Sequence, residues 1–368
     1  MDAGLQRELE QKVYAGERLS YADGVALYDS DDLAWLGGLA HHVRTKRNGD
    51  RVLFNVNRHL NLTNVCTASC AYCSFQRKPG ERDAYTMRIE EAVRLAKVME
   101  PSGITELHIV NGLHPTLPWK YYPKVLAELK AALPNVALKA FTATEIHYFE
   151  RISKLSANEV LDTLIDAGLE SLTGGGAEIF DWEVRQHIVD HQTHWEDWSR
   201  IHRLAHSKGL RTPATMLYGH IEHPRHRVDH VLRLRELQDE TGGFQTFIPL
   251  AFHPDNTALA HIAKTTGMMD LKQIAVGRLL LDNFAHIKSY WQMVSPEMAQ
   301  ISLRFGADDI DGTVIEEKIY HDAGATTPQG MRRADLVRLI TEAGRVPFER
   351  DTLYRAVTRS EDTFTVAV

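Results

Sequence analysis

Val52-Leu-Phe-Asn-Val-Asn-Arg-His-Leu60 is followed, after five residues, by Cys66-Thr-Ala-Ser-Cys70-Ala-Tyr72-Cys73. The first stretch has the β-branched and apolar character of a strand. The second gathers every cysteine of the chain into one short run. Thiolates are soft ligands that select zinc, copper(I) or iron–sulfur clusters. A structural zinc site takes four closed ligands, so a zinc site here needs a histidine such as His59 as its fourth. Three thiolates on a [4Fe–4S] cube leave one iron open to a small chelating molecule, which makes the missing fourth cysteine informative.

Outward from this run the strand pattern recurs. Besides 52–60, strand-like runs fall at 106–112, 137–141, 169–172, 212–217, 246–252, 286–294 and 307–312. Helical patterns lie between them. Ile89, Ala92, Val93 and Ala96 share one helical face. Ser156 and Glu159 form a capping box, with Gly168 as the stop. Val228, Val231 and Leu232 keep helical spacing, Asp270 opens a helix before Leu271, and Ser295-Pro296-Glu297 reads as a cap followed by proline. Strands alternating with helices predict βα units on a parallel sheet. Eight units predict an α/β fold of the (β/α)8 TIM-type barrel class, with an open doubly wound sheet as the alternative. The expected organisation is an N-terminal helical extension over 1–50, the barrel over 51–345 and a C-terminal extension over 346–368.

The composition is that of an ordinary globular chain. Hydrophobic residues make up 43% and charged residues 25% of 368, which excludes a disordered or fibrous polymer. The net charge is −7, opposite to the basic excess of a nucleic-acid binder. No apolar window is long enough for a membrane span. The N-terminus lacks the apolar core of a secretory signal. A cytoplasmic protein with no nucleic-acid or membrane partner is expected.

In a barrel of this kind the loops after the strands build the site. Ile109-Val-Asn111-Gly112-Leu-His114-Pro115 ends one strand, and a glycine there lets a ligand approach the backbone. Phe141-Thr-Ala-Thr144-Glu145 offers Glu145 either as an acceptor for a ribose or substrate or as a helix cap. Thr173-Gly174-Gly175-Gly176-Ala-Glu178 supplies a backbone able to wrap a ligand. Arg185, seven residues on, pairs with a carboxylate or forms a surface ion pair. His253 and Asn256 are either substrate contacts or satisfied loop residues. Asp308, Asp309 and Asp311 offer acid–base groups or helix caps. His226 and His230 have metal-ligand spacing without the glutamate of H-E-x-x-H, and packing is their other role.

The spacing C-x3-C-x2-C, with the aromatic Tyr72 before its last cysteine and a strand before its first, resembles the radical S-adenosylmethionine (SAM) superfamily. The resemblance implies that Cys66, Cys70 and Cys73 hold a [4Fe–4S] cluster whose open iron is chelated by SAM. It implies that Tyr72 lies by the adenine and Glu178 by the ribose or amino group of SAM. Asn111 and Gly112 stand where a glycine-rich stretch receives the SAM amino group, with Asn111 in place of a common glycine. With Glu145 and Arg185, these make up the expected cofactor-side set. Gly174-Gly-Gly-Ala-Glu-Ile179, Ala214-Thr-Met-Leu-Tyr-Gly219, Gln238-Asp-Glu-Thr-Gly-Gly-Phe244 and Gly306-Ala-Asp-Asp-Ile-Asp-Gly-Thr313 are similar to the futalosine-pathway enzymes of menaquinone biosynthesis and to the FO synthases. Within that group, Ala251-Phe-His-Pro-Asp-Asn-Thr257, Leu281-Asp-Asn-Phe-Ala-His-Ile-Lys288 and Glu349-Arg-Asp-Thr-Leu-Tyr354 resemble the aminofutalosine synthases.

That family implies addition of the 5′-deoxyadenosyl group of SAM to 3-[(1-carboxyvinyl)oxy]benzoate, with aryl migration and loss of carbon dioxide. It also implies an electron donor such as flavodoxin or ferredoxin. A substrate with two carboxylates needs cationic or donor groups in a dry barrel. His59, His114 and His253 are the expected catalytic set, Arg58 and Arg77 lie nearby in sequence, and Arg278 is a further option on a helix. The alternatives are the sibling reactions of cyclic dehypoxanthine futalosine synthase and FO synthase, and a zinc-stabilised binding module without turnover.

Overall fold

The computed structural model describes residues 1–98, 103–191, 193–360 and 363–367. Twelve strands are formed among these residues: β1 (Arg51–Phe54), β2 (Asn57–Leu60), β3 (Glu106–Ile109), β4 (Ala137–Ala140), β5 (Leu169–Ser171), β6 (Thr212–Tyr218), β7 (Phe244–Ala251), β8 (His286–Ser289), β9 (Asp309–Ile310), β10 (Val346–Glu349), β11 (Val357–Arg359) and β12 (Phe364–Val366). The first ten lie in two parallel arcs, ordered β10-β1-β9-β8-β7-β6 and β2-β3-β4-β5. Every residue of β4 and β6 is buried, as a parallel sheet covered on both faces requires.

The arcs meet at two seams where hydrogen bonds cross without a regular ladder. At one, Ser171 Oγ donates to Arg211 O at 2.6 Å and Thr215 Oγ1 to Gly174 O at 2.7 Å. At the other, His59 N donates to Ile315 O at 3.1 Å and Asn57 N to Thr313 Oγ1 at 3.0 Å. This is the parallel-strand α/β architecture expected from the alternation of elements.

Several elements differ from their sequence reading. The run 52–60 is two strands broken at Asn55-Val56, one serving each arc. The run 286–294 ends as a strand at Ser289. Trp291–Val294 forms a helical turn instead, with Trp291 Nε1 donating to Gly312 O at 2.9 Å. The helix Gly267–Leu280 is capped by Thr266, not Asp270. Asp270 is buried, where its Oδ1 accepts the Tyr218 hydroxyl at 2.8 Å.

The capping box of Ser156 and Glu159 opens the helix Ala157–Asp166 as expected. The N-terminal helices Ala3–Ala15, Tyr21–Tyr28 and Leu33–Asn48 lie against helices that flank the parallel strands. Leu27, Leu36 and Leu39 are buried there, and Leu33–Asn48 packs on Gly267–Leu280. At the other end, β10 pairs in parallel with β1 through Arg51↔Val346 to Phe54↔Glu349, and β11 and β12 form an antiparallel hairpin.

Candidate active site

A cavity of about 280 Å³ opens among the loops that follow the strands. The cysteine run lies beside it, directly after β2. Lys78 Nζ holds its backbone through Cys66 O at 3.3 Å, Thr67 O at 3.2 Å and Ala68 O at 3.0 Å. From the other side Asp190 Oδ2 accepts Ser69 N at 2.7 Å, and Ile188 O accepts Ala71 N at 2.8 Å.

All three thiols line the cavity and none is in a disulfide. Leu113 N–H donates to Cys66 Sγ at 3.3 Å, and Asp190 N–H to Cys70 Sγ at 3.4 Å. Burial pushes the Cys70 thiol up to about 12 and the Cys73 thiol to about 11. A bound metal reverses that cost by taking the thiolate directly.

The donor set bears on which group these thiols could hold. Among the described residues, only Asp181, Glu183 and His226 bring three ligand atoms within 4.8 Å of one another. The three thiols are not all within that distance of one another. Three soft thiol donors on one short run suit an iron–sulfur cluster. Backbone N–H groups aimed at sulfur are also the donors that tune such clusters.

Gly112 closes the turn after β3. Its N–H donates to Thr63 O at 3.0 Å, and a Cβ here would overlap Val65 O, so only glycine fits. Asn111 is fully engaged: Oδ1 accepts Leu62 N at 2.6 Å, and Nδ2 donates to Glu145 Oε1 at 3.1 Å. Glu145 also closes a capping box with Thr142 on the helix Ala143–Ser153, through Thr142 N to Oε2 at 2.8 Å. Burial raises its pKa to about 7.

Gly176 turns with φ +84°, and a side chain there would overlap Thr144 Oγ1. Glu178 follows in a left-handed conformation, φ +38°. Its Oε1 accepts the Tyr72 hydroxyl at 2.6 Å, while Oε2 is buried without a partner among the described residues. Burial raises the Glu178 pKa, with Arg185 opposing.

Arg185 is neither exposed nor in the cavity wall. Its guanidinium donates to Gly176 O (2.9 Å), Ala177 O (2.8 Å), Ile179 O (3.0 Å) and Thr193 O (2.7 Å) and so clamps the glycine loop. His114 is also outside the wall, its Nδ1 accepting Thr116 N and Leu117 N. Arg58 is buried outside the cavity wall and pairs with Glu316 at 2.8 Å, and Arg278 pairs with Asp308. Arg77 holds Ser74 O at 2.6 Å. His230 stacks on Phe180 at 4.0 Å and bonds Thr215 O, a packing role. Asn256 Nδ2 is engaged by Asp322 O at 2.9 Å.

His59 and His253 do line the cavity, as do Tyr72, Asn111, Gly112, Glu145 and Glu178. His253 Nε2 is held by Met293 O at 2.8 Å.

Sequence reading missed a polar floor beneath these loops. Glu106, His108, Lys139, Lys288 and Glu317 all reach the cavity, and Asp311 joins them. A signal was present: Glu106, Lys139 and Lys288 are charged residues inside parallel strands, where apolar runs are the rule. Lys288 Nζ bonds Asp311 Oδ1 at 3.0 Å. His59 and His108 stack at 4.6 Å with 21° between planes. Burial first, then His108, holds His59 neutral with its pKa near 3.

Residues 60–234 match the radical SAM superfamily, and residues 241–363 match the CofH/MqnC C-terminal region. The chain is 69% identical to aminodeoxyfutalosine synthase of Streptomyces coelicolor, covering 98% of this chain and 96% of that one. It is 48% identical to aminodeoxyfutalosine synthase of Thermus thermophilus, covering 95% of each. Methylornithine synthase superposes with a TM-score of 0.72 at 18% identity, over 92% of this chain and 97% of that one, a likeness of fold alone. No helix among the described residues is long and apolar enough to cross a membrane.

Proposed function

The chain belongs to the radical SAM superfamily, in the group that carries the CofH/MqnC C-terminal region, and on that premise we propose that it catalyses the aminodeoxyfutalosine synthase reaction. The substrates are SAM and 3-[(1-carboxyvinyl)oxy]benzoate, and the reaction joins the 5′-deoxyadenosyl carbon to the vinyl CH2. The aryl group then migrates from oxygen to the neighbouring carbon, the freed oxygen becomes a ketone carbonyl as the carboxylate leaves as carbon dioxide, and the one electron this releases can return to the cluster. The observation that carries this assignment is three free thiols opening on one cavity, in a chain 69% identical to a synthase of that name.

When bound, a [4Fe–4S] cluster with SAM at its open iron supplies the 5′-deoxyadenosyl radical. Cys66, Cys70 and Cys73 hold the cluster. The protein's other contributions are binding, orientation and exclusion of water. The unpartnered Oε2 of Glu178 is an acceptor for a ribose hydroxyl of SAM, and Tyr72 fixes that carboxylate from the other side. Gly112 and Gly174-Gly175-Gly176 let the loops that line the SAM space pack tightly on Val65, Thr215, Thr142 and Thr144, where a side chain would overlap them. Val110, Leu217, Ile248, Leu250 and Phe252 form an apolar wall that keeps water from a reactive carbon. A reduced flavodoxin or ferredoxin in the cytoplasm supplies the electron.

The test is one anaerobic incubation of reconstituted protein with reductant, SAM and 3-[(1-carboxyvinyl)oxy]benzoate, read by mass spectrometry. An adenosyl–aryl adduct with release of methionine is expected. Free 5′-deoxyadenosine without adduct would reject this substrate and point to the sibling cyclisation. A colourless, zinc-loaded protein would reject the radical chemistry altogether.

A further inference from the structure

The floor of the cavity is organised in a way the reaction does not by itself require. In the β2-β3-β4 register His59 lies opposite His108, and His108 opposite Lys139, so the three form one row across the arc. Lys288 from β8 and Asp311 after β9 face them from the other arc. This row sits below the turn at Asn111 and Gly112 by three residues, or about 10 Å at the strand rise.

Lys139 is only 6% exposed. Its nearest acidic oxygen, Glu106 Oε1, is 3.8 Å away, beyond hydrogen-bond distance. Among the described residues its ammonium has no hydrogen-bond acceptor. Glu106 is turned elsewhere, its Oε2 accepting Thr352 Oγ1 at 2.8 Å. A buried ammonium without an acceptor is costly unless something anionic completes it. Burial already lowers the Lys139 pKa to about 8, against the pull of Glu106.

The two ends of the substrate differ in what they need. The vinyl carbon must lie at the level of the thiols, Tyr72 and Glu178, where the adenosyl carbon is generated. The ring carboxylate then points away from the loops, toward the row of Lys139 and Lys288. We propose that Lys139 and Lys288, flanked by the edges of His59 and His108, form the subsite for the ring carboxylate of 3-[(1-carboxyvinyl)oxy]benzoate. This carboxylate stays in the product. The other one, lost as carbon dioxide, lies beside the apolar wall. The assignment rests on the proposed reaction and extends it to the orientation of the substrate.

The experiment compares two ligands on the reconstituted holoenzyme with SAM, by anaerobic calorimetry and by KM. One is 3-[(1-carboxyvinyl)oxy]benzoate and the other is 2-phenoxyacrylate, which lacks the ring carboxylate. Lys139→Met and Lys288→Met should each weaken binding of the benzoate roughly tenfold to a hundredfold, the loss of a charged hydrogen bond. Both should bind 2-phenoxyacrylate and SAM as the wild type does. His59→Gln removes no buried charge and serves the same comparison if a lysine variant fails to fold. Variants that bind both ligands normally, or that lose both equally, would overturn the subsite. A wild type that makes no adduct from the benzoate and binds neither ligand would overturn the reaction itself, and the subsite with it.

Discussion

The guanidinium of Arg185 donates to four backbone carbonyls, three of them in the loop that carries Glu178. It is buried, so no water replaces it when it is removed. Each buried carbonyl left unpaired costs about 1–3 kcal/mol. Arg185→Met should therefore lower the thermal midpoint by several degrees and weaken SAM binding, while Arg185→Lys keeps part of both. A melt of Arg185→Met that overlays the wild type would remove the clamp from the account. Gly112→Ala makes a narrower test. Its Cβ would overlap Val65 O, one residue before Cys66, so the cysteine loop must shift. The expected result is a folded protein with less cluster absorbance per chain after reconstitution, and full iron content would contradict it. At this scale the sequence was legible where chemistry is rare. Three clustered cysteines have few other uses, and the glycine run is conspicuous. Arg185 was expected to meet a carboxylate on the cofactor side or at the surface, because a side-chain formula does not state burial. Lys139 and Lys288 were passed over because a lysine in a strand looks like an edge residue until the register places it inward.

The segment after β9 shows how an element is assembled from charges. Glu317, Ile319, Tyr320 and Ala323 reach the cavity from it. It is tied down by Arg58 to Glu316 at 2.8 Å, Asn256 to Asp322 O at 2.9 Å and Lys264 to Gly324 O at 3.3 Å. Its internal brace is His321, with Nδ1 3.0 Å from Glu317 and Nε2 2.8 Å from Thr327 O. Both nitrogens face acceptors, so the doubly protonated ring fits best. The hydrogen bond to Glu317 accordingly raises its pKa to about 9, against 6.5 for a free histidine. A raised folded-state pKa stabilises below the unfolded value and loses that contribution as the pH climbs through the folded one. The stabilisation is therefore full below pH 6.5 and fades toward pH 9 and above. Denaturant melts of wild type and His321→Gln should differ at the acid end and converge at the alkaline end. A constant gap across that range would show that the pair does not titrate. None of this was legible in the sequence, because Glu317 and His321 are meaningful only once the turn places them together. The strand runs 52–60 and 286–294 failed for a related reason: a break at Asn55-Val56 and a helical turn at Trp291 answer to partners distant in the chain.

At the scale of the whole molecule, the C-terminal residues complete the floor that the barrel leaves open. Expected as an extension beyond 345, they begin with β10 paired to β1. The chain then places Arg350, Thr352 and Tyr354 under the cavity. Arg350 Nε meets Asp309 Oδ2 at 3.0 Å, Tyr354 donates to the same oxygen at 2.5 Å, and Thr352 holds Glu106. Asp309 and Arg350 are both fully buried. The βα alternation was legible from sequence because each unit is local, whereas this closure joins residues about 40 apart to a strand near the start of the chain. Removing one member of a buried ion pair strands the other and costs about 3–5 kcal/mol, whereas replacing both is often neutral. Arg350→Met should therefore be strongly destabilised, and Asp309→Asn combined with Arg350→Met should recover much of the loss. Because Glu106 lies in the same network, the single variant should also weaken binding of 3-[(1-carboxyvinyl)oxy]benzoate more than binding of SAM. A single variant that melts like the wild type, or a double variant no better than the single, would mean that the C-terminal residues merely lie against the barrel without supporting its floor.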